Sequence, residues 1–164
     1  MKTYFFILLT TTLFSTQLLA ARYCTHGNSG MSELQNSAVL KTQNMGWGTE
    51  INLNGYNRTN WIHFNIPQKF DDNTIDRIDI SYKRQNRLIH ISAVHGWSSY
   101  NKFLNRSLDN QPMNPNDKGY ETLKLGPDMP YIPSSAGISI QVKNSNNTTG
   151  WFKLVISQIC VVYN

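Results

Sequence analysis

Apolar and polar residues alternate with a period of two along much of the chain. In the stretch 60–67, Ile62, Phe64 and Ile66 fall on one side, and the residues between them fall on the other. Such alternation is typical of a strand with one buried face and one solvated face. The same period, together with stretches that are mostly apolar on both faces at 87–95 and 151–163, predicts eight short strands. They span 60–67, 74–83, 87–95, 137–142 and 151–163, with weaker patterns at 38–42, 50–53 and 120–125.

Turn-forming residues separate these strands, at Asn54-Gly55, at 71–73 and at 144–150. No segment shows the 3.6-residue period of a helix. The pattern therefore predicts an all-β fold, an antiparallel β-sandwich of two sheets, with jelly-roll and immunoglobulin-like topologies both open. Two proline-containing stretches, 104–119 and 126–135, are predicted as long loops.

Composition agrees with an all-β domain. Of 164 residues, 19 are asparagine and only nine are lysine, so turn formers outnumber strong helix formers. The net charge of +5 is mild and spread along the chain. A nucleic-acid-binding domain should carry a clustered basic stripe, which is not evident here, and we expect no nucleic-acid partner.

Residues 1–21 resemble a secretory signal peptide, which leaves 22–164 as a single domain. Lys2 is followed by an apolar run, and Ala20 and Ala21 are small residues suited to cleavage after either one. Polar residues interrupt the apolar run at 10–17, so it is too short for a membrane anchor. The leader predicts a secreted or periplasmic protein with no membrane span after cleavage.

The chain contains two cysteines, Cys24 and Cys160. Export would place them in an oxidising compartment, where a single pairing is available to them. We therefore expect a Cys24–Cys160 disulfide that ties the two ends of the domain together. The alternative is two free thiols. Neither cysteine has a neighbouring histidine or basic cluster that would activate it for catalysis.

Four segments together resemble a known family. They are Gly-Trp-Gly-Thr at 46–49, Asn-Trp-Ile-His-Phe-Asn-Ile-Pro at 60–67, Val94-His95, and Gly-Ile-Ser-Ile-Gln-Val at 137–142. The set is similar to a family of small, uncharacterised β-rich proteins of bacteria and fungi, over residues 46 to the end. The resemblance implies an all-β domain and carries no known activity or site residue. Gln68 and Lys69 stand where the family pattern has a second proline.

Candidate catalytic groups are few. His90 and His95 lie five residues apart, so in a regular strand they should point to opposite faces, and no metal-ligand spacing is present. No nucleophile elbow occurs. The enzymatic alternative is a small secreted hydrolase that combines His63 or His95 with a carboxylate from the long loops.

No metal or other cofactor is predicted, with one alternative left open. Oxygen ligands suited to calcium occur at 71–76 and at Asn114, Asn116 and Asp117. Lys118 and Leu125 stand where a helix-loop-helix calcium site needs ligands, so only a looser loop site would remain.

Aromatic residues near turns favour a binding function. The preferred ligand surface is the segment that follows the strand at 87–95 beyond Gly96, whose residues combine rings with small polar groups. Its members are Trp97, Ser98, Tyr100 and Asn101. Trp61 and Trp151 are expected in the sandwich interior. The sequence thus predicts a secreted, non-enzymatic module that binds a glycan or a protein ligand.

Overall fold

The computed structural model describes residues 21–34, 36–66, 74–86, 88–98, 101–109, 120–126, 136–145 and 149–163. Within these ranges the chain forms eleven strands, a short 3-10 turn at Gly27–Ser29 and no α-helix. The strands are β1 (Ala21–His26), β2 (Met31–Ser32), β3 (Leu40–Met45), β4 (Gly48–Asn54), β5 (Arg58–Ile66), β6 (Ile75–Arg84), β7 (Ile89–Ser98), β8 (Asn101–Ser107), β9 (Tyr120–Leu125), β10 (Ala136–Asn144) and β11 (Trp151–Tyr163).

The strands form two antiparallel sheets packed as a sandwich, which confirms the predicted fold class. One sheet has the order β3-β4-β11-β6-β9, with β1 also paired to β11. The other has the order β2-β5-β10-β7-β8. No helix among the residues described is long and apolar enough to cross a membrane.

The core follows from the alternation seen in the sequence. On β5 and β10, Ile62, Phe64, Ile138 and Ile140 are each at most 1% exposed, and they face the six-stranded sheet. Burying each such side chain contributes about 1.5–3 kcal/mol. The residues between them therefore point outward, on the far side of the five-stranded sheet.

The C-terminal strand β11 organises the six-stranded sheet. Along one edge, 151–156 pair with β4 and 158–163 pair with β1, while the other edge pairs with β6. A bulge interrupts β11 at Ser157, between these two partners. Gly27 and Gly48 both lie against the backbone at Ile156, so close that a Cβ atom on either would overlap the Ile156 carbonyl.

One predicted loop is partly wrong. The stretch 104–119 begins inside a strand, because β8 runs through Ser107. Phe103 is the extra residue of a bulge, so Phe103 and Leu104 are both buried and the period of two is broken. Residues 110–119 and, in the second predicted loop (126–135), residues 127–135 lie outside the described residues.

The expected end of the strand at Gly96 is also wrong, since β7 continues to Ser98. The strand requires glycine at position 96 because of the packing around it, and not because the chain turns there. A Cβ atom at this position would lie 2.5 Å from the ring of Phe103.

The predicted disulfide is present. Cys24 and Cys160 are direct cross-strand partners on β1 and β11, and they are bonded to each other. Such a bond is typical of proteins in oxidising compartments. The predicted signal peptide lies outside the described residues, except for Ala21, which pairs with Tyr163 at the start of β1.

We expect unreduced protein to take up no thiol-alkylating reagent, and reduced, denatured protein to take up two equivalents, as measured by intact mass. The double variant Cys24→Ser/Cys160→Ser should melt at least roughly 8 °C below the parent, because a closed loop of this length is worth about 4–5 kcal/mol in the chain-entropy model. Alkylation of both cysteines in native, unreduced protein would contradict the pairing.

A second prediction concerns the hairpin that joins β3 to β4. Gly48 has a φ of +151°, and an added Cβ would overlap the Ile156 carbonyl. Gly48→Ala should therefore lower the free energy of unfolding by about 2–4 kcal/mol. Gly46→Ala is the matched control, because nothing lies within 4 Å of a Cβ at that position. Equal melting temperatures for the two variants in thermal denaturation would show that the close approach is absent.

Candidate functional site

The outer face of the five-stranded sheet presents one row of five side chains, four polar and one a methionine. Strand register places Met31, His63, Ser139, His95 and Asn105 side by side across β2, β5, β10, β7 and β8. We call this set the central row. Because it lies on paired strands, its side chains are held by a rigid framework.

Two rings meet above the middle of the central row. The ring centroids of Trp61 and His95 are 4.5 Å apart, with planes inclined at 34°. The strands β5 and β7 lie about 9.6 Å apart because β10 lies between them. The two residues stand in adjacent rows, Trp61 opposite Gln141 and His95 opposite Ser139. Ser139 is small and only 7% exposed, which leaves room above β10 for the rings to meet. Its Oγ shares a hydrogen bond of 2.8 Å with Nδ1 of His63.

Trp97 extends this aromatic group toward β8. Its ring meets that of His95 edge-on, with centroids 6.1 Å apart. The ammonium of Lys102 lies 4.6 Å from the Trp97 ring centroid, within the range of a cation–π interaction. Trp97 is half-buried. The predicted site residue Trp97 therefore lies on the outer face, among residues that the local sequence did not associate with it.

The other members of the predicted segment have different positions. Asn101 is exposed at the start of β8. Ser98 is only 1% exposed, and its hydroxyl has no hydrogen-bond partner among the residues described. The expectation of a surface role is wrong for Ser98, because in the alternation of β7 it points inward. Tyr100 lies outside the described residues.

A gap in the side-chain layer adjoins Trp97. In the register, Gly137 of β10 lies between Asn65 of β5 and Trp97 of β7, next to the central row. A Cβ added to Gly137 would meet no described atom closer than the Phe64 carbonyl oxygen, at 3.9 Å. We call this gap the Gly137 notch. Its sides are an amide and an indole ring, and its end is formed by His63, Ser139 and His95.

A second polar group lies beyond the central row on the same face. His90 Nε2 is 3.3 Å from one carboxylate oxygen of Asp109, and Lys143 Nζ is 2.9 Å from the other. His90 and His95 thus share a face, and the expectation that they oppose each other is wrong. The cause is a bulge in β7, where Val142 pairs with Ile91 and Gln141 pairs with Ala93.

This arrangement does not favour hydrolysis. Among the residues described, the carboxylate that contacts a histidine is that of Asp109. Its partner is His90, and not His63 or His95. Ser139 lies in a strand paired on both sides, so the backbone N–H groups near it are used in the sheet and are not aimed at a reacting oxygen. The other acids of the predicted loops 104–119 and 126–135, Asp117 and Asp128, lie outside the described residues.

Within the part of the chain that the structure describes, no group of three histidine, cysteine or acidic residues could hold a metal ion. Of the residues considered for calcium, Asp76 forms a 2.8 Å ion pair with Arg77. Asn114, Asn116 and Asp117 lie outside the described residues.

Elsewhere in the described part of the chain, three large aromatic side chains are exposed. Trp47 is 54% exposed, Tyr56 63% and Trp151 37%. The expected interior position is therefore wrong for Trp151, above which Lys41 Nζ lies 4.7 Å from the ring centroid. It is also wrong for Trp61, which lies half-buried on the outer face.

The pKa of His95 lies below its ordinary value. Partial burial is the largest cause, the positive charge of Lys102 adds to it, and a hydrogen bond with Asn105 opposes both. The imidazole is therefore neutral at pH 7, and it can both donate and accept a hydrogen bond on the outer face.

No family model matches the chain, and no curated protein matches its sequence. Solved structures with a similar fold include the C-terminal CBM6 of LamC, a marine laminarinase from Zobellia galactanivorans, with 9% identity and a TM-score of 0.43 over 88% of this chain and 100% of that one. A mannan-recognising carbohydrate-binding module, TmCBM27, has 8% identity and a TM-score of 0.44 over 89% and 98% of the two chains. The family 11 carbohydrate-binding module from Clostridium thermocellum has 15% identity and a TM-score of 0.37 over 90% and 91%. The likeness to these carbohydrate-binding modules is one of fold alone.

We expect an NMR titration to give His95 a pKa below the ordinary histidine value of about 6.5. Neutral His95 contributes fully to the stability of the fold above the ordinary histidine pKa. This contribution is lost as the pH falls through the lowered pKa of His95 in the folded protein. Lys102→Gln should raise the pKa of His95. Lys143→Gln, which removes a charge held by Asp109 on the same face, should leave it unchanged. A His95 pKa that does not respond to Lys102→Gln would contradict this account.

Proposed function

We propose that this protein is an exported, non-enzymatic glycan-binding module that holds a saccharide over the Gly137 notch. The observation that carries the proposal is the combination, at that point, of a glycine whose added Cβ would meet no described atom closer than 3.9 Å, an indole ring and a row of hydrogen-bonding side chains. The notch lies beside Trp97, and the central row supplies two imidazoles and a hydroxyl within the same face.

The chemistry of a sugar matches this surface. A pyranose ring has a face of C–H groups and a rim of hydroxyls. The C–H face packs on an aromatic ring such as Trp97, and the hydroxyls exchange hydrogen bonds with amide, imidazole and hydroxyl groups that act as donor and acceptor. Asn65 and His63 offer such groups on the side of the notch opposite Trp97.

Rigidity supports the same function. The pairing of Trp61 with His95, the bond from His63 to Ser139 and the contact of Lys102 with Trp97 fix the main side chains before any ligand arrives. A surface ordered in advance loses little conformational entropy on binding, which favours recognition of flexible polar chains.

The location follows from the leader and the disulfide. Residues 1–21 have the anatomy of a signal peptide, and the Cys24–Cys160 bond suits an oxidising compartment. We therefore place the protein outside the cytoplasm, secreted or periplasmic, where polysaccharides are accessible to it.

The proposal predicts that Gly137→Val abolishes glycan binding while the fold is retained. The new side chain would fill the notch, and valine suits a strand better than glycine does. A glycan array on the parent identifies the ligand, and isothermal titration calorimetry on the variant should then show at least a tenfold loss of affinity.

Ala93→Val is the matched control, because it adds bulk to the same face next to Gln141 and outside the notch. It should bind as the parent does. A Gly137→Val variant that melts like the parent and binds with parental affinity would refute the site. An array with no bound glycan would refute the function.

A further inference from the structure

A cavity opens at one end of the sandwich, at the edge of the core. Its volume is about 470 Å³. It is bordered by two connections that each pass from one sheet to the other, from β2 to β3 and, through 55–57, from β4 to β5. We call it the Arg58 cavity. It shares no residue with the central row or with the Gly137 notch, and along β5 it lies at the opposite end from Asn65.

The inner wall of the Arg58 cavity is apolar. Leu40 and Leu53 are direct cross-strand partners on β3 and β4, and both belong to the core. Val39 continues this wall and is half-buried, and its carbonyl oxygen accepts a hydrogen bond from the N–H of Asn54. Leu34 also borders the cavity and is 52% exposed. A ligand that covers Leu34 and Val39 removes their apolar surface from water, which favours binding.

The exposed side chain of Leu34 stands on a fixed backbone. The N–H of Leu34 donates to Oδ1 of Asn60 at 3.2 Å, and its carbonyl oxygen accepts from Oγ of Ser32 at 2.6 Å. Asn60 is itself only 1% exposed. The apolar wall is therefore in place before a ligand arrives, which lowers the entropy lost on binding.

The rim of the Arg58 cavity is polar and comes from three consecutive residues, Asn57, Arg58 and Thr59. Within the described part of the chain, the side chains of these three residues form no hydrogen bond and no ion pair. Nε of Arg58 lies 3.8 Å from the position of a Cβ on Gly55, so the side chain runs beside the turn that borders the cavity. Arg58 is exposed, and its positive charge has no carboxylate partner among the residues described.

The donors of the rim match a carboxylate. A guanidinium presents parallel N–H groups that bind both oxygens of one carboxylate. The amide of Asn57 and the hydroxyl of Thr59 are further donors on the same rim. One guanidinium balances one negative charge, so a monocarboxylate suits the rim better than a phosphate with two charges does. The apolar wall, in turn, selects a ligand whose other end is a hydrocarbon.

We infer that the Arg58 cavity binds a small aliphatic carboxylic acid in its ionised form. The carboxylate pairs with Arg58, and the hydrocarbon chain lies on Leu34 and Val39. The inference goes beyond the proposed function, because it concerns the other end of the sandwich, different residues and a ligand that is not a sugar. It stands even if the Gly137 notch binds nothing.

The test is an NMR titration of the mature chain with octanoate, below the concentration at which octanoate forms micelles. We expect saturable shifts of the Leu34 and Val39 methyl signals and of the Arg58 Nε–H signal. Acetate keeps the carboxylate without the chain, and 1-octanol keeps the chain without the charge. Each should bind at least tenfold more weakly than octanoate, since each loses one of the two contacts.

Arg58→Gln should lower affinity for octanoate at least tenfold, and Arg58→Lys should give an intermediate loss, because the charge remains without the planar fork. Both variants should melt as the parent does, since Arg58 has no described partner to lose. Leu34→Ser should also weaken binding, and its exposure keeps the fold unaffected.

Lys124→Gln is the matched control. It removes an exposed positive charge from β9, at the edge of the six-stranded sheet opposite β3, and it should leave octanoate binding unchanged. Three results would each overturn the inference: no saturable shift with octanoate, parental affinity in Arg58→Gln, or 1-octanol binding as tightly as octanoate.

Discussion

The double-sided pairing of β11 is the constraint on which the rest of the structure depends. Its thirteen residues hold β4 and β1 end to end along one edge and β6 along the other. A strand paired on both edges and central to its sheet must be apolar along most of its length, as 154–162 largely are. The disulfide then fastens β1, the shorter of the two partners on that edge, to the same strand. The bulge at Ser157 lies where the pairing of β11 with β4 ends and its pairing with β1 begins.

The five-stranded sheet uses the two faces of each strand for different purposes. On β5, Ile62 and Phe64 stabilise the core, while Trp61 and His63, which alternate with them, face outward. In the proposed function, stability and recognition are thereby assigned to alternate residues, so the outer side chains can vary in chemistry with little effect on packing. The sheet supplies the fixed spacing of about 4.8 Å between neighbouring groups that a rigid recognition surface needs.

Alternation along the sequence identified the strands that bury one face, and runs of apolar residues identified those apolar on both faces. Together the two patterns located eight of the eleven strands among the described residues. Neither pattern could reveal bulges. One extra residue in β7 brings His90 onto the face of His95. One extra residue in β8 makes Phe103 and Leu104 point inward together. The sequence of β8 therefore lacks the alternation of a strand, and it was predicted in part as a loop. β2 has only two residues, and β1 packs only Ala21 and Tyr23 against the core, so neither strand shows a clear apolar period.

The candidate site depends on register, which local pattern does not contain. Trp61 and His95 are 34 positions apart and on strands that do not pair with each other. They meet because both pair with β10, at Gln141 and Ser139, and because Ser139 is small enough for rings to pass above it. Sequence reasoning therefore singled out Trp97 from its local composition but missed its neighbours. The sequence feature that came closest to identifying these neighbours is the set of ring-bearing residues at the positions that alternate with the apolar ones, namely Trp61, His63 and His95.

Glycines in this fold differ in whether the surrounding atoms leave room for a side chain. Gly48 has a backbone conformation that favours glycine and a carbonyl where its Cβ would be, and Gly96 has the Phe103 ring there, so the fold accounts for both. Gly137 has neither feature: its φ lies outside the left-handed region, and no described atom approaches closer than 3.9 Å. Glycine inside a strand costs roughly 0.5–1 kcal/mol relative to alanine. At Gly137 the described packing offers no compensation for that cost, and the position borders the aromatic and polar side chains of the outer face. A glycine that the described packing does not require, beside these side chains, is what the proposed binding surface predicts.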